Sequence, residues 1–113
     1  MLSKISITFL LGLAMLLQGS LGADELLQTA ETVLAYQRSS GGWPKNYDRE
    51  EQLSESRLQE LRAARDQRDS TIDNGATHRE IRILAAAYKQ SGDMRYLNSA
   101  SRGIQYLICH LYT

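Results

Sequence analysis

Ser70-Thr71-Ile72-Asp73-Asn74-Gly75-Ala76-Thr77 runs straight into His78-Arg79-Glu80-Ile81-Arg82-Ile83-Leu84-Ala85-Ala86-Ala87-Tyr88, and the change of pattern between the two halves decides the fold. In the second half Ile81, Leu84, Ala85 and Tyr88 recur at the i, i+3, i+4, i+7 spacing of one helix face. Thr77-His78-Arg79-Glu80 reads as a capping box, with the Thr77 hydroxyl available to one end amide and Glu80 reaching back to another. Asp73 and Asn74 then stand just before a helix that Thr77 caps, so their side-chain oxygens are left to face outward. The competing reading is a plain turn, because Asn and Gly tolerate positive φ.

Outward from that stretch the same alternation of helix and loop recurs. Upstream, Leu26, Leu27, Ala30, Val33, Leu34 and Tyr36 set a helix from about Asp24 to Arg38. Gly41-Gly42 ends it and Pro44 prevents its resumption. From Asp48 to Ser70, Leu53, Leu58 and Leu61 stand among interspersed acidic and basic residues, which reads as a solvated, partly helical face rather than a tail that binds polyanions. A third helix is expected from near Gly75 to near Gln90, broken by Ser91-Gly92-Asp93. A fourth places Leu97, Ala100, Ile104, Leu107 and Leu111 on one side. With no convincing period-two strand, the fold class is all-α, built from helical hairpins. Leu27, Ala30, Leu34 and Tyr36 also match Leu97, Ala100, Ile104 and Tyr106 at one constant offset, as if one helix of a hairpin recurred.

Composition narrows the function. The chain has 113 residues, with 13 Lys and Arg against 13 Asp and Glu, so it offers no basic patch to nucleic acid. Met1–Gly22 reads as a secretory signal, with Lys4 as the charged start and Ile5–Leu17 as an apolar run too short to span a membrane comfortably. Ser20-Leu21-Gly22 supplies small residues ahead of a cut before Ala23. A secreted or periplasmic protein with no stable membrane association after signal removal is expected, its domain running over 23–113. The single Cys109 has no partner for an internal disulfide and reads as a small apolar core residue. His78 and His110 have no second ligand at metal spacing.

Four motifs in order, Gly41-Gly42-Trp43-Pro44-Lys45-Asn46, Thr71-Ile72-Asp73-Asn74-Gly75-Ala76-Thr77, Glu80-Ile81-Arg82 and Gly92-Asp93-Met94-Arg95-Tyr96, resemble the family-10 polysaccharide lyases, which are pectate lyases. The resemblance runs from about Ala30 to about Tyr106. It implies an α/α toroid and calcium-dependent β-elimination of polygalacturonate, in which the proton at C5 leaves and the C4 oxygen is expelled. Calcium (Ca2+) suits that chemistry, being a hard cation that takes carboxylate and amide oxygens and neutralises charge on a uronate. Carried over by motif, Asp73 is the residue for metal and catalysis and Asn74 a substrate contact. Lys45 and Asn46 suit an acidic sugar chain, an ammonium meeting carboxylates and an amide meeting hydroxyls, although a solvated lysine is the plainer reading. Trp43 is read either as a sugar platform or as packing between hairpins.

The resemblance also implies an arginine as proton-abstracting base, in a later part of the fold. After Gly103-Ile104-Gln105-Tyr106-Leu107 the family pattern calls for a second Gly-Gly-Trp-Pro, whereas Ile108-Cys109-His110-Leu111-Tyr112-Thr113 follows. The expectation is therefore an N-terminal, truncated and inactive portion of such an enzyme. Arg79 and Arg82 do not fill the vacancy, since arginines in the first turns of a helix usually pair with groups such as Glu80. Two rivals stand beside this reading. Gln37-x-x-x-Gly41-x-Trp43 also fits the Gln-Trp repeat of terpenoid cyclases, opposed by the signal segment and by the lack of an Asp-rich acid motif. A non-catalytic remnant that binds sugar acids is the other.

Overall fold

Helices carry most of the backbone in the computed structural model, which describes residues 22–112. The export signal read at Met1–Gly22 lies, but for its last residue, outside the described residues. Helix α1 is described over residues 22–36. It buries Ala30, Val33 and Tyr36, the inward side of the apolar set that its sequence displays. A long loop leads to α2, Glu55–Ala63, whose N-cap Ser54 accepts a hydrogen bond from the Arg57 amide at 3.1 Å. Among its residues only Leu61 is buried, so the charged stretch is a mostly solvated helix, as its interspersed charges require.

A 3-10 turn, Asp73–Gly75, precedes α3, His78–Ser91. Helix α3 starts three residues later than periodicity suggested, because Thr77 stands at φ 73°, ψ −55° and no helix passes through that conformation. Its inward face is also turned: Glu80, Leu84 and Ala87 are buried while Ala85 is exposed. Gly92 closes α3 in the left-handed region at φ 72°, its N–H bonding the Tyr88 carbonyl at 2.7 Å, the usual device for ending a helix. Asp93 then accepts the Arg95 amide at 3.0 Å and α4 runs Met94–Tyr112.

Helices α3 and α4 form an antiparallel hairpin across that tight connection. The backbone of α4 approaches closely at Gly103, where an added Cβ would lie 2.8 Å from both Ile81 and the Trp43 ring. The core gathers Ala30, Val33, Tyr36, Trp43, Leu61, Leu84, Ala87, Tyr96 and Ala100. Among the described residues the β-structure is one isolated antiparallel bridge, Trp43 with Thr71, so the fold is all-α. One expectation for α4 is corrected: Cys109, read as a core residue, is exposed. Of the residues that spacing sets on one side of α4, Ile104 and Leu111 are exposed. The inward face of α4 is instead set by Tyr96, Ser99, Ala100 and Gly103.

Candidate functional site

Two loops, 37–46 and 70–77, are laced side by side, and the lacing begins at Gln37. Its side chain is almost wholly enclosed, donating to the carbonyls of Gly41 at 2.9 Å and Ser99 at 3.0 Å. Its amide oxygen accepts from the Ser99 hydroxyl at 2.6 Å and from Arg102 at 2.7 Å. All the polar capacity of a buried amide is thus used, and the end of α1 is fastened to α4. Arg38, also buried, grips Asp69 through Nε at 2.7 Å and Nη2 at 3.0 Å. This two-pronged contact holds the Asp69 carboxyl below its usual range. The start of one loop is thereby tied to the approach of the other.

Trp43 is the centre of the join. Its carbonyl accepts the Thr71 amide at 3.0 Å, its own amide donates to the Thr77 hydroxyl at 3.2 Å, and its indole N–H donates to the Val33 carbonyl at 2.8 Å. The Thr77 hydroxyl in turn donates to the Thr71 carbonyl at 2.9 Å. Trp43 is fully buried, which corrects its assignment as a sugar platform: an enclosed ring offers no face for stacking, and packing is its role. Gly42 fits beside it because a Cβ there would meet Tyr106 at 2.8 Å and Ser70 at 2.9 Å.

Beneath Thr77 lies a polar group with the end-amide partner that the sequence predicts and a second partner that it does not show. Glu80 is fully buried; one carboxylate oxygen accepts the Thr77 amide at 2.7 Å and the other accepts Arg49 Nε at 2.6 Å. Both arms of the capping box read from the sequence are present, and the Thr77 hydroxyl serves the two loops as well. The partner of Glu80 is Arg49 from the long loop, not an arginine of its own helix. Arg49 also lies over the Tyr47 ring, which stacks on Tyr36 with centroids 4.1 Å apart. Burial, with the Glu80 charge second, pushes the Tyr47 phenol well above its usual range. No spacing rule links residues 49 and 80, so no sequence signal could have found this pair.

On top of this frame stand the other expected site residues, brought together by the bridge. Lys45 Nζ lies 4.0 Å from Asp73 Oδ2, and both side chains are largely open to solvent. Asn46 at φ 66° and Asn74 at φ 54° occupy the left-handed region that asparagine tolerates. Among the described residues no hydrogen bond engages either amide side chain, so both remain available. Gly75, at φ 80°, leaves room for Arg79: an added Cβ would come within 2.5 Å of Arg79 Nε. Arg79 thus folds back over Gly75, while the charged partner of Glu80 is Arg49. Thr77, fully buried at positive φ, is the strained position; a β-branched residue held there costs about 1–3 kcal/mol and persists only where its surroundings over-determine it.

The family model for pectic acid lyase matches residues 37–113. The chain belongs to that family. Searches of curated proteins and of solved structures give no match. The pectic acid lyase match begins at Gln37, the residue that fastens the first loop, and takes in both loops, α2, α3 and α4. As to calcium, the residues present fit in donor type and fall short in number. Asp73 is an exposed carboxylate and Asn74 an amide, both hard oxygen donors, whereas calcium takes about six to eight oxygens. Among the described residues no group of three His, Cys, Asp or Glu side chains is placed to hold a metal, and Lys45 already stands beside Asp73. This rim supplies at most a part of a calcium site, to be completed by substrate oxygens and water.

Proposed function

We propose that this chain carries the substrate-facing loops of a secreted or periplasmic pectate lyase that cleaves polygalacturonate by calcium-dependent β-elimination. The observation that supports the reading is the juxtaposition of Lys45, Asn46, Asp73 and Asn74 across the Trp43–Thr71 bridge, inside the region that matches the pectic acid lyase family. The α3–α4 hairpin is compatible with the α/α toroid that the resemblance implies. Among the described residues no helix is long and apolar enough to cross a membrane.

In the elimination, the C5–H electrons become the C4–C5 double bond as a base takes the proton, and the C4–O bond breaks with its electron pair leaving on oxygen. Calcium, when bound, neutralises the charge that builds on the substrate carboxylate. The chain's own residues do the holding. Lys45, near Asp73, and Arg79, folded over Gly75, offer cations to uronate carboxylates, and the Asn46 and Asn74 amides meet hydroxyls. Asp73 would contribute a carboxylate ligand to the ion, with Lys45 nearby at 4.0 Å. None of these groups is placed as the base that takes the C5 proton, so we expect binding without turnover from this chain alone.

Calorimetric titration of the intact chain with hexagalacturonate tests the reading. Calcium should add a component to the binding, and that added component should be lost with Asp73→Ala and with a chelator, while helicity by circular dichroism is unchanged. Equal calcium-dependent binding by Asp73→Ala overturns the assignment. Ultraviolet absorbance from new C4–C5 double bonds, produced by the chain alone, overturns the inactivity; saturated ends overturn elimination itself.

A further inference from the structure

A groove of about 380 Å³ opens between α1, α2 and α4, and its lining is separate from the loop site. That volume falls within the range of about 300–1,000 Å³ typical of small-ligand sites. Three elements build it by simple helical spacing. Residues 58, 62 and 65, along α2 and just past its end, present Leu58, Arg62 and Arg65; residues 95, 98 and 102 of α4 present Arg95, Asn98 and Arg102. Leu34 and Ala35 of α1 add to the apolar lining, and Glu31 is the acidic residue among the lining groups.

The charges do not cancel inside the groove. Glu31 is already taken by Arg95, with Nη2 2.5 Å from its carboxylate, and by the Tyr96 hydroxyl at 2.9 Å. Arg102 is held by the buried Gln37 through one nitrogen, which fixes its guanidinium and leaves its other N–H groups open. Arg62 reaches Glu55 only at 4.0 Å and in full exposure to solvent, a pairing of little energy. Arg65 makes no side-chain hydrogen bond or ion pair among the described residues. In a chain of zero net charge this is a local excess of guanidinium groups around an apolar patch. Such an arrangement suits a ligand with planar carboxylates spaced along a body that has apolar faces.

We propose that this groove binds an acidic sugar chain, a run of uronate residues, at a second site that needs no calcium. Arg62, Arg65 and Arg102 meet successive carboxylates in two-pronged contacts, Asn98 meets a hydroxyl, and Leu34 and Leu58 take the C–H face of a ring. The site would keep the polymer on the protein while its neighbouring stretch lies along the Asp73 loops. The choice of sugar rests on the lyase reading; the anion site itself rests on the groove.

The test is titration of the intact chain with hexagalacturonate in excess chelator, which silences any calcium-dependent contact at Asp73. Binding should remain, weaken steeply as salt rises from low to about 0.5 M because exposed charges are screened, and be unchanged by Asp73→Ala. The double variant Arg62→Ala/Arg65→Ala should weaken it at least about tenfold, and Asn98→Asp should weaken it through repulsion. Both changes are at exposed positions, so circular dichroism should match the parent chain. Binding without calcium that survives the double variant, or that a neutral glucan oligomer reproduces, overturns the site. Displacement of the sugar by a lower concentration of an acidic peptide or of RNA overturns its assignment to sugar. Calcium-free binding by the parent chain that calcium does nothing to strengthen would sink the lyase reading and leave the groove standing.

Discussion

The two sides of the loop pair are built on opposite terms. Below, Gln37, Arg38, Trp43, Thr77 and Glu80 are buried and every one is hydrogen-bonded to a partner distant in sequence. Above, Lys45, Asn46, Asp73 and Asn74 are exposed, and their polar groups share a single ion pair at 4.0 Å. A buried polar group without a partner costs about 1–3 kcal/mol, so the lower set is fully spoken for by folding. An exposed group carries no such demand. What the contrast teaches is that the frame fixes the backbone, strained Thr77 included, so that the rim can keep its side chains uncommitted. Substitutions below should therefore act on stability, and substitutions above on binding.

Trp43→Ala tests the frame hardest. It opens a cavity at the centre of a small core and strands the Val33 carbonyl, so about 3–5 kcal/mol should be lost, read from urea unfolding followed by circular dichroism. A loss under about 1 kcal/mol would show that the loops do not depend on this join. Arg49→Ala comes next at about 3 kcal/mol, because removing one partner of a buried ion pair leaves a charge enclosed. The same denaturant midpoint reads it, and Arg49→Lys should recover only part of the loss, since an ammonium lacks the fixed guanidinium geometry.

Gly103→Ala sets two rules against each other. Alanine inside an exposed helix gains about 1 kcal/mol over glycine. Here its Cβ would press on Ile81 and on the Trp43 ring at 2.8 Å, and overpacking costs about 1–3 kcal/mol. The thermal midpoint should fall; a rise would mean that α4 can shift off Trp43 and that the frame is looser than drawn. The Arg38–Asp69 contact gives a smaller, pH-dependent effect. Because the folded-state pKa of Asp69 is depressed, its stabilisation is present above the ordinary carboxylate value and fades as pH falls through the folded value, below about 4. Asp69→Asn should flatten that acid limb and leave the neutral-to-alkaline side of the stability profile parallel to the parent. The smallest effect belongs to the rim: Asp73→Ala should alter stability by no more than about 0.5 kcal/mol, and a larger loss would erase the distinction between the two sides.

Periodicity made the helices legible, and punctuation made their ends legible. Gly92 and Asp93 close and cap elements as their chemistry dictates. The Thr77–Glu80 capping box made the cap of α3 legible, but not its backbone, since nothing in Thr77 itself announces a positive φ; the demand comes from Trp43 and Thr71, which its hydroxyl must reach. Likewise Ile104 and Leu111 are hydrophobic at inward spacing yet stand exposed, because periodicity marks a face without saying what covers it. In the site, the left-handed asparagines and Asp73 could be read from turn chemistry. Trp43 could not be placed, because a tryptophan in a loop serves a sugar or a core equally well until its surroundings are known.

The sequence by itself determined the all-α class, the order of the helices, the two loops with their chemistry, and the family. These follow from local rules: residue spacing, glycine and proline punctuation, and motifs read along one chain. The tertiary structure alone decided that Glu80 answers to Arg49, that Gln37 joins α1 to α4, that Trp43 is enclosed, and that four arginines, from α2, the turn after it and α4, share one groove. Each joins residues tens of positions apart, and only folding sets the distance between groups the chain does not hold together.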